Sequence, residues 1–176
     1  MKKLLYVING SGGVGKDSFC NFVRDCSGHD TYSISSADRA KRIAIEVFGW
    51  DGITKDEKIR KLISDIKNLL TWWDDIPFKD MKGEITYFYS SIHKEIMFIH
   101  IREPQEIQKL KEAFPELKTI LITNENIPNI TSNSGDAGVF DYRYDYYIKN
   151  DGTLDDLKET ALEFINRFYE DNLDEV

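Results

Sequence analysis

Two periods of apolar residues alternate along the chain, and they predict alternating strands and helices. Lys3 to Ile8 is a short, nearly continuous apolar run, as expected of a buried strand, and it ends in the glycine-rich turn Asn9-Gly10-Ser11-Gly12-Gly13. From Lys16 the spacing changes, with Phe19, Phe22, Val23 and Cys26 at i, i+3, i+4 and i+7 on one face of a helix. Thr31 to Ser35 is a second strand. Ala40, Ile43, Ala44, Val47 and Phe48 then mark a helix that starts at Asp38 and can end at Gly49. A third stripe, Ile59, Leu62, Ile63, Ile66, Leu69 and Leu70, runs into Trp72-Trp73 and breaks at Asp74-Asp75-Ile76-Pro77. Ile85, Phe88, Tyr89 and Ile92 suggest a fourth helix. Glu95 to Arg102 reads as a central strand, Pro104 as the first residue of a helix carrying Ile107, Leu110 and Phe114, and Leu117 to Thr123 as another strand. Tyr144 to Lys149 is the last strand. Asn150-Asp151-Gly152 turns into a helix capped by Thr153, with Leu154, Leu157, Ala161, Ile165 and Phe168 inward. This order predicts an α/β fold, a doubly wound five-stranded parallel sheet flanked by helices.

Length and charge narrow the partners. A chain of 176 residues suits one domain, 1–176, able to bury its core without disulfides or a structural metal. A net charge of −8 disfavours a nucleic acid polymer, whose backbone needs clustered Lys and Arg, but leaves room for a small phosphorylated ligand. The apolar start stops at Asn9-Gly10, shorter than a signal peptide requires, and no run approaches the roughly 20 apolar residues that span a bilayer. A cytoplasmic location without a membrane partner is expected; the oligomeric state is not legible. Cys20 and Cys26 lie six residues apart on one predicted helix, about 9 Å of rise, too far for a disulfide. With three scattered histidines (29, 93 and 100), no zinc spacing is present.

The chemistry begins at Gly10-Ser11-Gly12-Gly13-Val14-Gly15-Lys16-Asp17-Ser18. Gly-x4-Gly-Lys between a strand and a helix is the phosphate-loop arrangement, in which glycines let backbone N–H groups turn toward phosphate oxygens. The helix N-terminus adds partial positive charge, and the Lys16 ammonium can reach the β and γ phosphates of ATP. The usual motif follows its lysine with a Ser or Thr that ligates Mg²⁺. Here Asp17 holds that place: it can ligate magnesium, directly or through water, or simply favour the helix start by its charge. Ser18 supplies the hydroxyl nearest the α-phosphate.

This Gly-Lys-Asp-Ser loop resembles that of the P-loop nucleoside monophosphate kinase-like family, and within it the deoxynucleoside monophosphate kinases of phages and bacteria. The animal-type phosphomevalonate kinases share the same variant. Ser35-Ser36-Ala37-Asp38-Arg39-Ala40-Lys41-Arg42-Ile43-Ala44, followed by Val47-Phe48-Gly49-Trp50, resembles the stretch after that family's second strand, whose aspartate matches Asp38 and whose lysine matches Lys41, and the dephospho-coenzyme A kinases carry a similar Asp-x3-Arg matching Asp38 and Arg42. Tyr144-Asp145 with Asn150 to Leu154 resembles the family's last strand and helix. The resemblance implies a kinase that uses ATP and Mg²⁺. Asp38, at the carboxyl end of the second strand beside the loop, is expected to serve the metal's water or orient the acceptor, with a plain N-cap aspartate as the alternative reading. The resemblance also implies that Arg102 clamps the acceptor phosphate.

Arg39, Lys41 and Arg42 put three cations within four residues, and at least one is expected on the acceptor phosphate, with a solvated helix face as the reading for the others. Glu103 is read as either a capping residue or part of the magnesium shell, and His100 as structural. Residues 51–94, with Trp72-Trp73 and Tyr87-Phe88-Tyr89, form the region expected to cover the acceptor. Those aromatics suit either core packing or stacking on a base. Residues 124–140 read as a lid-like loop without Lys or Arg, so Arg143 is the nearest lid candidate. The expected function is ATP- and Mg-dependent transfer to a small phosphorylated acceptor, first a (deoxy)nucleoside monophosphate. The alternatives are a nucleotide-binding module or slow ATPase, and a kinase for a non-nucleotide such as phosphomevalonate or dephospho-coenzyme A.

Overall fold

The computed structural model describes residues 3–127 and 138–170, with side chains as far as Arg167. Five strands, β1 (Leu4–Asn9), β2 (Thr31–Ser35), β3 (Ile96–His100), β4 (Lys118–Thr123) and β5 (Tyr146–Lys149), form one sheet in the order β2-β3-β1-β4-β5. All neighbouring strands are parallel, as the alternation of periods predicts. Six helices accompany them among the described residues: α1 (Lys16–Ser27), α2 (Asp38–Phe48), α3 (Glu57–Asp74), α4 (Ile76–Ser90), α5 (Pro104–Ala113) and α6 (Leu154–Glu170). Residues Val139–Asp141 form a short 3-10 turn.

Period-two alternation in the strands divides the core between the two faces of the sheet. Leu4, Tyr6 and Ile8 of β1 pack with Phe19 and Val23 of α1 and with Leu157, Ala161 and Ile165 of α6. Leu5 and Val7 point the other way, onto Met81, Ile85 and Phe88 of α4 and Ile107 and Leu110 of α5. Fully burying a side chain such as Phe19 contributes roughly 1.5–3 kcal/mol, so a few such contacts suffice to fix α1 on its face. A third cluster lies off the sheet, where Ala40 and Ala44 of α2 meet Ile66 of α3, flanked by Leu62, Ile63 and Leu70.

Register sets the functional edge. Ile8 and Ser35 both pair with His100, so the carboxyl ends of β1, β2 and β3 finish level. The chain leaves β1 toward β2 and leaves β3 toward β4, in opposite directions, which opens a crevice above these strands.

Several boundaries and faces differ from the sequence reading. Tyr144 and Asp145 precede β5 rather than belonging to it: Tyr144 is buried but turned into a hydrogen-bond network, and Asp145 bonds Thr119. The break before Pro77 is a single residue, Asp75 at φ 50, which ends α3 and starts α4. Ile92 falls beyond α4 and is exposed. Val47 and Phe48 (70% and 58% exposed) stay outside the cluster that α2 forms with α3, and Leu69, Trp72 and Trp73 are exposed on α3. Leu154 is exposed as the first residue of α6, whereas Leu157, Ala161 and Ile165 are inward as expected. The side chain of Phe168 and residues 128–137, most of the lid-like loop, fall outside the described part of the structure.

Candidate functional site

The glycine loop is built by backbone geometry. Gly10 has φ 144, and a Cβ there would sit 2.3 Å from the Ile122 carbonyl oxygen, so no other residue fits without displacing β4. Gly15 has φ 99, and its missing Cβ leaves space for the Asn150 amide, whose Nδ2 donates to the Val14 carbonyl at 2.9 Å. Asn150 also donates its backbone N–H to Thr123 O at 2.8 Å. The loop is thereby tied to the ends of β4 and β5. At its other end the buried Asn9 accepts from Gly10 N through Oδ1 (2.7 Å). Its Nδ2 donates to Arg102 O (3.1 Å) and to the Tyr144 hydroxyl (2.7 Å), which in turn donates to Val139 O. Glycine at the α1 N-cap contributes no side-chain acceptor to the first turn of that helix, which suits the binding of an anion there. The Lys16 ammonium folds over the loop, donating to Gly10 O (2.6 Å) and Ser11 O (2.8 Å).

Next to this loop, a cleft of about 460 Å³ opens over the ends of β1, β2 and β3 and is walled by α3. That size accommodates a metabolite-sized ligand. Lys16, Lys41, Lys55, Arg60, Lys67 and Arg102 line it, against only Asp17, Asp38 and Glu103. Six cations facing three carboxylates, on a chain of net charge −8, make the cleft electropositive within an acidic protein.

The charges are individually anchored. Asp38 accepts from Ser35 N (2.7 Å) and from Lys41 Nζ (2.8 Å), which holds it at the start of α2 beside the loop. Lys67 is the buried charge of α3, with its side chain 7% exposed, and its ammonium donates to Glu103 (2.5 Å) and Glu106 (2.8 Å). Burial pushes both carboxyls up. For Glu103 the adjacent Lys67 charge and hydrogen bond outweigh burial and hold the group low, whereas for Glu106 burial and the neighbouring Glu103 charge prevail.

His100 lies in the cleft floor with Nδ1 3.8 Å from Asp17, beyond hydrogen-bond reach. Burial, reinforced by Lys16 and Lys41 and only partly opposed by Asp17, pushes its pKa down to about 4. The imidazole is therefore neutral near pH 7, and its contact with Asp17 is not an ion pair.

The structure gathers Gly12, Gly13, Lys16, Asp17, Asp38, Lys41 and Arg102 around the cleft. Ser11 and Val14 are buried beneath the loop, and Ser18 is half-buried in the first turn of α1. Arg39 points away, forked onto Asp80 at 2.9 and 2.7 Å, and Arg42 is exposed outside the lining. Arg143 is exposed and does not line the cleft. Trp72 and Trp73 also stay outside it.

Sequence reasoning missed Asn9, Asn150 and Lys67, and the pair Lys55 and Arg60. Asn150 had a signal, an amide directly after the last strand. Lys67 had a weaker one, a lone cation at i+4 from Ile63 on the apolar face of α3.

No protein-family model matches this sequence, and no curated protein matches it. Solved structures do. A sugar kinase from Janibacter sp. superposes with a TM-score of 0.56 at 15% identity, covering 93% of this chain and 95% of that one. A gluconokinase from Sinorhizobium meliloti gives 0.51 at 15% identity, covering 96% and 94%. At that identity the likeness speaks for the fold, which is P-loop kinase-like.

Proposed function

We propose, from a P-loop kinase-like fold that carries an electropositive cleft beside its glycine loop, that the chain is a small ATP- and Mg²⁺-dependent kinase. It transfers the γ-phosphoryl group to a small anionic acceptor, first a (deoxy)nucleoside monophosphate. The observation that carries this reading is the continuity of the loop with a cleft whose cations extend well beyond Lys16, as far as Arg102, Lys55 and Arg60. One nucleotide's phosphates need only the loop and its lysine. The further cations are accounted for by a second anion.

In this reading the N–H groups of residues 10–16 and the Lys16 ammonium bind the donor phosphates and stabilise charge developing on the transferred group. Arg102, in the same cleft as Lys41, holds the acceptor's anionic group, and the level ends of β1 and β3 align donor and acceptor in one crevice. Asp38, fixed by Ser35 N, orients the acceptor oxygen or a metal-bound water. Asn9 keeps Arg102 in register with Gly10 through its side-chain bonds. Arg39 and Arg42 stand outside this constellation.

The donor set suits magnesium. Asp17 and Asp38 line the cleft with hard carboxylate oxygens, the ligand type that magnesium takes together with phosphates and waters. When bound, that ion would be held by Asp17 and Asp38 and would supply positive charge that partly neutralises the donor phosphates. No described helix is long and apolar enough to cross a membrane, and the proposed substrates are small molecules.

A second reading keeps the donor end but takes a non-nucleotide acid as acceptor, phosphorylated or carboxylic. It is favoured by the fold shared with a gluconokinase. Incubation with ATP, magnesium and a panel of nucleoside monophosphates, phosphomevalonate, dephospho-coenzyme A and sugar acids separates the two by the product formed. ADP released equally with and without every acceptor would leave only a slow ATPase.

A further inference from the structure

Glu103 poses an electrostatic problem for the acceptor site. Its carboxylate lines the same cleft as Arg102, its chain neighbour, and its side chain is 35% exposed. An ionised carboxylate there opposes any anion that Arg102 is to hold. The Lys67 ammonium lies against it at 2.5 Å, reaching from α3 across the cleft wall. The apolar cluster of Ile66, Leu62, Ile63 and Leu70 against α2 already seats α3, and a buried ion pair stabilises a fold little more than an apolar pair of similar volume. Stability alone does not account for a lysine in this place.

We propose that Lys67 is a positioning residue of the acceptor site, one that holds the Glu103 carboxylate against α3 and cancels its charge, so that the cations of the cleft act undiminished on the acceptor's anionic group. The proposal rests on the acceptor reading above. Glu106 completes the arrangement at 2.8 Å from the same ammonium. Burial and the adjacent Glu103 charge raise its carboxyl, while the shared Lys67 ammonium opposes that rise.

The test measures binding of inorganic phosphate to the full chain by titration calorimetry, with the donor end saturated by the ATP analogue AMP-PNP and magnesium. Wild type is expected to bind one phosphate, and Lys67→Met to bind it about tenfold more weakly, because an uncompensated charge now faces the anion. The double variant Lys67→Met with Glu103→Gln should return to within about twofold of wild type, since the charge that needed compensation is gone. A lysine that only braces the wall would show no such rescue. Unchanged phosphate binding in Lys67→Met, or a loss that Glu103→Gln does not restore, would overturn the proposal. Absence of phosphate binding by wild type would instead overturn the acceptor reading and the proposal with it. Should Lys67→Met not fold, Glu103→Gln alone decides: phosphate binding at least as tight as wild type supports the charge argument, and weaker binding contradicts it.

Discussion

The two ends of the cleft are made in different ways. The donor end is backbone: glycines at positive φ, a helix start, and amide anchors from Asn9 and Asn150, all resting on a core in which Ile8, Val14 and Phe19 are essentially excluded from solvent. The acceptor end is side chain: Lys41 from α2, Lys55 and Arg60 around the start of α3, Lys67 from its middle and Arg102 beyond β3. Its wall, α3, buries only Ile66 and Lys67 and leaves Trp72 and Trp73 in solvent. A backbone cradle tolerates almost no substitution and recognises phosphate in general. A side-chain wall can be exchanged residue by residue, and so it is where specificity for one acceptor resides.

Substitutions can break or sharpen this contrast. The largest effect is expected at Gly10. Gly10→Ala forces a Cβ into the Ile122 carbonyl at a φ that side chains avoid and should lower the unfolding free energy by roughly 2–5 kcal/mol, read by urea denaturation. A stable Gly10→Ala protein would remove the claim that the donor end is conformationally exacting. Lys16→Ala should leave stability nearly unchanged while slowing phosphoryl transfer roughly 10²–10³-fold, measured as single-turnover product formation. At the other end, Arg102→Ala should raise the acceptor KM about tenfold or more with the ATP KM unaltered. Arg39→Ala, whose guanidinium is already forked onto Asp80, should change either KM less than about twofold. Equal effects from the two arginines would erase the distinction between cleft and outer face.

The smallest effect concerns the floor between the two ends. The unfolded His100 imidazole takes up a proton near its ordinary value of 6.5, whereas the folded one stays neutral down to about 4. Over that window the unfolded chain binds the extra proton, so acidification from about 6.5 to about 4 should erode stability, with none of this loss above pH 7. In His100→Asn the slope of unfolding free energy against pH should flatten over the same window.

Much of the fold was legible because both periods are strong: the strands at 4–9, 31–35, 96–100 and 118–123 and the start of α1 at Lys16 follow from apolar spacing and glycine placement. The misread faces, Val47, Phe48, Leu69 and Leu154, share one cause. Helical spacing shows that a helix has an apolar side but not which residues along that side a neighbour covers, and these four stay uncovered. The donor end was readable because phosphate recognition by backbone requires glycine at fixed spacing. The acceptor end was only half readable: Arg39 and Arg102 look alike in sequence, and the carboxylate of Asp80, 41 residues from Arg39, decides which of them faces the cleft. Lys67 and Glu103 likewise meet only through the packing of α3 over the end of β3.

The central claim is that one crevice holds two anions, the donor phosphates on the loop and the acceptor's anionic group at Arg102. The most direct measurement is a crystal structure with AMP-PNP, magnesium and a deoxynucleoside monophosphate bound. The expected result places the β and γ phosphates against the N–H groups of residues 10–16 and Lys16, with the monophosphate in contact with Arg102 inside the cleft. A monophosphate bound instead at Arg39 or Arg42 on the outer face, or a triphosphate away from the glycine loop, would contradict it.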